Sequence, residues 1–176
     1  MERKVVLYIA VSLDGYIARN NGEVDFLEGD GSDKDGDIGY VDFYNTIDTV
    51  IMGNSTYKQI MGWGEYPYKG KEGYVYTNKS IGKNADVTFT SRNPIELIND
   101  LKKRDGKDIW VVGGAQIAKI FMNKNLIDEY IIATIPVLIG DGIKLFDKNN
   151  EEDIRLKLKE SKTVNGIVIS HYIKVK

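Results

Sequence analysis

Two short stretches have the residue order of a strand that ends on glycine and opens a helix. They are "VIMGNST", Val50 to Thr56, and "WVVGGAQI", Trp110 to Ile117. The first N–H groups of a helix lack intrahelical partners, and the helix dipole puts positive character there, so such an end suits a phosphate. Glycine lets that backbone approach a ligand closely. One such end can be no more than a tight strand-to-helix turn; two in one chain suggest a nucleotide carrying a pyrophosphate. A third stretch, "VSLDGYIA", Val11 to Ala18, follows the apolar run "KVVLYIA". Taken alone it is a turn, with glycine tolerating positive φ and Asp bonding its own backbone nearby. The chain holds neither G-x-x-x-x-G-K-[ST] nor G-x-G-x-x-G, so neither standard phosphate-binding fingerprint is present.

The rest of the composition narrows the field. The 176 residues predict one domain, 1–176, with a real core. Apolar residues make up 42%, charged residues 28%, and the net charge is −2 with both signs interspersed. Nucleic-acid and membrane surfaces need a concentrated positive field, so neither partner is expected. There is no cysteine, which excludes disulfides and thiolate chemistry and fits a reducing compartment. No His/Cys cluster or metal-ligand spacing appears, so no metal is expected. The N-terminal "MERK" plus "VVLYIAVSL" is broken by Ser12 and Asp14 and reads as a buried strand, not an export signal. No apolar stretch reaches the roughly 20 residues of a membrane span. A soluble, cytoplasmic protein is expected.

These stretches must be positioned by a regular scaffold. After the first strand, 20–37 is rich in Gly, Asp and Asn and reads as a long surface loop. A short helix is predicted over 38–47, a strand over 48–53 and a helix over 54–61. "GYVYTN" alternates weakly, and "ADVTFTS" is another strand candidate. "NPIELINDLKKRDG" is the clearest helix, with Pro94 in its first turn and Gly106 after a basic end. "DIWVVGG" is a buried strand, "AQIAKIFMNKN" a helix, and "IDEYIIATIPVLIGDG" a strand broken by Pro136. Asn165-Gly166 between two alternating runs signals a closing hairpin. Continuous apolar strands alternating with helices predict a three-layer α/β domain, a mostly parallel mixed sheet with an antiparallel C-terminal hairpin. Ligands bind such sheets beyond the carboxyl ends of the strands.

In order along the chain, "AVSLDGYIA", "VIMGNSTYKQI", "VYTNK", "IWVVGGAQIAKIF", "IDEYIIATIPVLIGDGIKLF" and the final hairpin resemble the dihydrofolate reductase superfamily. "VGGAQI" with "IDEY…P…LIGDGIKLF" resembles more narrowly the reductase domain of bacterial riboflavin biosynthesis and its small stand-alone relatives. The resemblance covers nearly the whole chain. It implies a dihydrofolate reductase-like fold and NADPH-dependent hydride transfer to a pterin-like or pyrimidine substrate of the 5-amino-6-(5-phosphoribosylamino)uracil type. It further implies that Ala10 and Ile17 flank the nicotinamide, under a flap formed by "SLDGYIA". Gly53, Asn54, Ser55 and Thr56 would hold one side of the pyrophosphate, and Gly113, Gly114, Ala115, Gln116 and Ile117 the other. Thr77, Asn78 and Lys79 would lie beside the adenosine ribose and its 2′-phosphate, with Arg92 reaching the same phosphate. A homodimer is implied as well, to which apolar residues of the C-terminal hairpin could contribute.

The chain departs from the family pattern at three places. Asn54 stands where "MGR" places Arg, with Lys79 and Arg92 as compensating cations. Tyr16 stands where riboflavin-type members carry Lys. The carboxylate that dihydrofolate reductases place on the helix before "VIMG" has two candidates by spacing, Asp37 and Asp42; each also reads as a solvated residue at a helix start. A proton-relay carboxylate would be buried with a raised pKa. Alternatives are a true dihydrofolate reductase and a nucleotide-binding protein without turnover. His171, the only histidine, reads as a strand residue, and Trp110 and Tyr130 as core or sheet residues. Trp63, Tyr66 and Tyr68 either wall the substrate pocket or pack their own loop.

Overall fold

The computed structural model describes residues 2–79, 82–146 and 153–175. The first strand, β1 (Val5–Ser12), turns into the short β2 (Tyr16–Ala18). After the 20–39 segment come α1 (Tyr40–Thr46), β3 (Ile47–Gly53), α2 (Asn54–Gly62) and β4 (Glu72–Tyr76). Then follow β5 (Gly82–Lys83), β6 (Val87–Thr90), α3 (Pro94–Lys102), β7 (Asp108–Gly113) and α4 (Ala115–Asn123). The chain closes with β8 (Glu129–Ile135), β9 (Ile143–Lys144), β10 (Leu156–Val164) and β11 (Ile167–Lys174).

One nine-stranded sheet runs β10-β11-β8-β1-β7-β3-β4-β6-β5, and β2 pairs with β9 in a separate two-stranded piece. The strands from β8 through β6 are parallel; β11 and β5 run against their neighbours. Alternate residues of β1 explain why its run is apolar throughout. Val5, Leu7 and Val11 pack against Leu97, Ile98 and Leu101 of α3 and Phe121 of α4. Val6 and Tyr8 join Phe43 of α1 and Ile60 of α2 on the other face. A strand covered on both faces must be apolar at both parities, so this is a three-layer α/β domain. Among the described residues, no helix is long and apolar enough to cross a membrane.

Local chemistry sets the element ends. In α3, the Asn93 side chain accepts from Ile95 N–H at 3.0 Å and Pro94 occupies the first turn. Asn165 and Gly166 sit at φ 51° and 72°, the left-handed pair that a tight hairpin turn requires. The helix predicted over 38–47 is shorter: Gly39 at φ 76° precedes it, and Ile47 is already in β3. The strand predicted from Ile127 stops at Ile135, because Pro136 has no N–H to donate to a ladder. The weakly alternating "GYVYTN" is an inner strand, β4, between β3 and β6. The 20–39 segment is seated on the hairpin turn, where Asp30 N–H donates to Asn165 C=O at 3.0 Å.

Candidate functional site

A cavity of about 500 Å³ opens where β3 and β7 end. One wall is Gly53 with Asn54, Ser55 and Thr56, the start of α2. The facing wall is Gly114 with Ala115, Gln116 and Ile117, the start of α4. Ile17 and Ala18 of β2 and Ile143 of β9 lie along its third side, forming a roof.

Both helix starts are bare. Neither α2 nor α4 has a side-chain cap, and neither has an acidic residue in its first turn. α3 contrasts with them, having the Asn93 cap and Glu96 in its first turn. The two uncapped ends therefore present free N–H donors and an uncompensated dipole to one space. Glycine is what leaves that space open. A Cβ on Gly114 would stand 3.3 Å from Thr56 Oγ1 and 3.8 Å from Ile17 Cδ1. A Cβ on Gly53 would stand 3.2 Å from Ile117 Cγ1. Gly113, at φ 117°, adopts a conformation that favours glycine, and the Gly113–Gly114 peptide is cis. Free donors around a cradle that a side chain would fill fit the pyrophosphate of a dinucleotide.

Of the residues singled out by sequence, Ile17, Gly53, Asn54, Ser55, Thr56, Gly114, Ala115, Gln116 and Ile117 meet around this cavity. Gly113 is the last residue of β7, and Ala10 sits half-buried in β1 opposite Ala133. Neither of these two lines the cavity. Gly53 pairs with Tyr76, and Tyr76 with Thr90, so Thr77 and Arg92 follow the neighbouring strand ends without lining the cavity either. Thr77 Oγ1 accepts from Lys79 N–H at 3.1 Å, and Asn78 and Lys79 are exposed. The Arg92 guanidinium is held by Asp100 at 2.6 Å.

The structure takes neither carboxylate candidate to this cleft. Asp37 Oδ1 accepts from Gly39 N–H at 2.6 Å, closing the turn before α1. Burial, and secondarily the Asp37 charge, push the Tyr8 hydroxyl above its ordinary range. Asp42 sits in the first turn of α1 and faces a second hollow of about 430 Å³, shared with Lys4, Glu129 and His171. The reason is the placement of α1: it lies over β1 and β7, with Phe43 packed edge-on against Tyr8 and Trp110, away from Gly53 and Gly114. His171 is buried in β11 with Nε2 at 2.6 Å from Glu129. Tyr66 and Tyr68 are buried in the aromatic cluster around Trp110 and pack their loop, whereas Trp63 is exposed.

Sequence reasoning missed Gln59 and the Asn21–Glu23 stretch, which also line the cleft. Gln59 Nε2 donates to Gly22 C=O at 2.7 Å and ties the long loop to α2. Its spacing from Ser55 and Thr56 puts it on the same helical face, a pattern readable without coordinates.

The family model described as the RibD C-terminal domain matches residues 71–169. The Bacillus subtilis protein YwjB, whose activity is uncharacterized, is 43% identical over 99% of both chains. The uncharacterized YyaP of the same organism is 33% identical over 96% of this chain and 93% of its own. Among solved structures, a Shewanella sp. PV-4 protein provisionally assigned to riboflavin biosynthesis superposes with a TM-score of 0.88 at 25% identity, covering all of both chains. An Acinetobacter baumannii RibD superposes at a TM-score of 0.68 and 18% identity, with 99% of this chain spanning 58% of that one. That last likeness is one of fold.

Proposed function

The chain belongs to the RibD C-terminal domain family, a reductase-type domain of riboflavin biosynthesis, and on that footing we propose that it is an NADPH-dependent reductase of a flat pterin-like or pyrimidine substrate. The observation that carries the proposal is the pair of uncapped, acid-free helix ends meeting across Gly53 and Gly114. Backbone N–H groups of Asn54–Thr56 and Ala115–Ile117 would hold the pyrophosphate. Thr77, Asn78 and Lys79 would lie beside the adenosine ribose, with Lys79 toward a 2′-phosphate. Ile17 and Ala10 would flank the nicotinamide, which supplies a hydride when bound. The protein's own contribution is positioning and the exclusion of water, the latter from Ile17, Ala18 and Ile143 above the cleft.

The test is NADPH oxidation, followed by absorbance, across a panel of pyrimidines, pterins and other carbonyl compounds. Turnover with a heterocyclic acceptor supports the proposal. Binding of NADPH with no oxidation across the panel favours a nucleotide-binding protein, a reading to which the absence of Asp37 and Asp42 from the cleft lends weight. Turnover of dihydrofolate, blocked by antifolates, would instead mark a true dihydrofolate reductase. The proposal includes a homodimer, since Leu156, Leu158 and Val168 of the terminal hairpin face solvent. Sedimentation as a monomer would remove that part.

A further inference from the structure

Asp14 has a carboxylate that the proposed reductase chemistry does not use, and its hydrogen bonds are not those of an ordinary turn. Such a turn would have Asp14 accept from Tyr16 N–H. Here Tyr16 N–H goes to Ser12 Oγ at 3.0 Å. Asp14 Oδ1 accepts from Ser12 Oγ at 2.6 Å and from Ile139 N–H at 3.3 Å. Its Oδ2 accepts from Gly140 N–H at 2.8 Å. Two backbone bonds flank the carboxylate: Leu13 N–H donates to Val137 C=O at 2.9 Å, and Leu145 N–H to Gly15 C=O at 3.1 Å.

The two segments joined in this way lead directly into β2 and β9. Tyr16 is the register partner of Lys144, and Ile17, Ala18 and Ile143 border the cleft. The roof is thus built from residues far apart in the chain, outside the nine-stranded sheet. We infer that Asp14 is a positioning residue whose carboxylate latches the β2 turn to the 137–140 segment and thereby fixes the roof over the nucleotide cleft. Only a carboxylate suits the place. It accepts from three donors with two oxygens and brings no N–H of its own, whereas an amide would set its NH₂ group against the N–H of Ile139 or of Gly140, depending on its orientation. The Ser12 hydroxyl first, and then the Gly140 and Ile139 N–H groups, hold this carboxyl below its ordinary range against some desolvation, as three donors onto one carboxylate require.

The consequence for ligands rests on the nucleotide-cleft reading above. The pyrophosphate walls belong to α2 and α4, so loosening the roof should shorten residence without abolishing capture. The experiment compares wild type, Asp14→Asn and Ser12→Ala by stopped-flow NADPH binding and by amide hydrogen exchange. For Asp14→Asn the inference predicts loss of protection at Ile139, Gly140 and Ile143, and a dissociation rate about tenfold faster. The association rate should stay within twofold and the melting temperature near wild type. Ser12→Ala should fall between the two. Unchanged amide protection in Asp14→Asn would overturn the latch. Lost protection with an unchanged dissociation rate would overturn its role over the cleft. If wild type binds no NADPH, the cofactor reading fails on its own; the exchange arm still decides whether Asp14 fixes the roof.

Discussion

Arg3 and Gly114 lie at opposite ends of the same parallel strands, β1 and β7. Arg3 is buried, and its guanidinium donates to Lys107 C=O at 2.6 Å, Leu101 C=O at 3.2 Å and Thr49 Oγ1 at 2.7 Å, with Asp48 as its ion-pair partner. Asp48 Oδ2 also accepts from Lys107 N–H at 2.8 Å. Gly106 is pressed into this network, since a Cβ there would stand 2.6 Å from Asp48 Oδ2. At the other end, Gly114 borders a space, and the helix donors around it have no side-chain caps. Both ends use glycine where backbone and side chains crowd. At one end the result is a set of polar groups satisfied by each other; at the other it is a set of donors left for a ligand. Stability and the proposed nucleotide binding thereby fall at different ends of the sheet.

Substitutions can separate the two ends. The largest effect is expected for Gly114→Val, which should weaken NADPH binding at least about 100-fold, or roughly 2.7 kcal/mol. Its fold should persist, because φ at Gly114 is −74°, an ordinary value for any residue. Calorimetric titration and thermal melting check both halves. Arg3→Ala is the mirror experiment. Removing this buried guanidinium, whose partner Asp48 is partly exposed, should cost about 2 kcal/mol in urea unfolding, while the folded fraction keeps its affinity within twofold. Loss of affinity in Arg3→Ala, or of stability alone in Gly114→Val, would break the division.

A smaller effect concerns Glu129, at the same end as Arg3. Burial by itself would raise its pKa, but hydrogen bonds from Lys4 and His171, with Lys159 nearby, outweigh burial and hold it below the ordinary range. A depressed carboxylate contributes stability above its unfolded value, about pH 4.3, and the contribution is lost as pH falls through the folded value. Glu129→Gln should therefore cost about 1 kcal/mol at neutral pH and flatten the acid limb of a melting-temperature profile. The smallest effects concern cofactor choice. Lys79→Ala should reduce the preference for NADPH over NADH about fivefold. Arg92→Ala should change it less than twofold, because Asp100 already holds that guanidinium.

Local chemistry was readable in advance, and long-range chemistry was not. The Asn165-Gly166 turn, the Asn93-Pro94 helix start and both strand–glycine–helix ends depend on residues adjacent in the chain, so their types alone indicate them. The roles of Asp14, Arg3 and Glu129 depend on partners more than 40 positions away. No periodicity encodes such partners. Asp14 shows the limit plainly: "SLDG" has the composition of a turn and forms one, yet its carboxylate is committed to Ile139 and Gly140. Spacing along the chain points to Asp37 and Asp42, and the packing of α1 over Tyr8 and Trp110 sets them elsewhere.

The central question is whether the bare helix ends hold a dinucleotide. The direct measurement is a calorimetric titration of the wild-type chain and of Gly114→Val with NADPH and with NADH. Expected are micromolar binding of NADPH by wild type, roughly 8 kcal/mol, weaker binding of NADH, and an affinity for NADPH at least about 100-fold lower in Gly114→Val. Absence of binding to either nucleotide by wild type, or undiminished affinity in Gly114→Val, would contradict the dinucleotide reading.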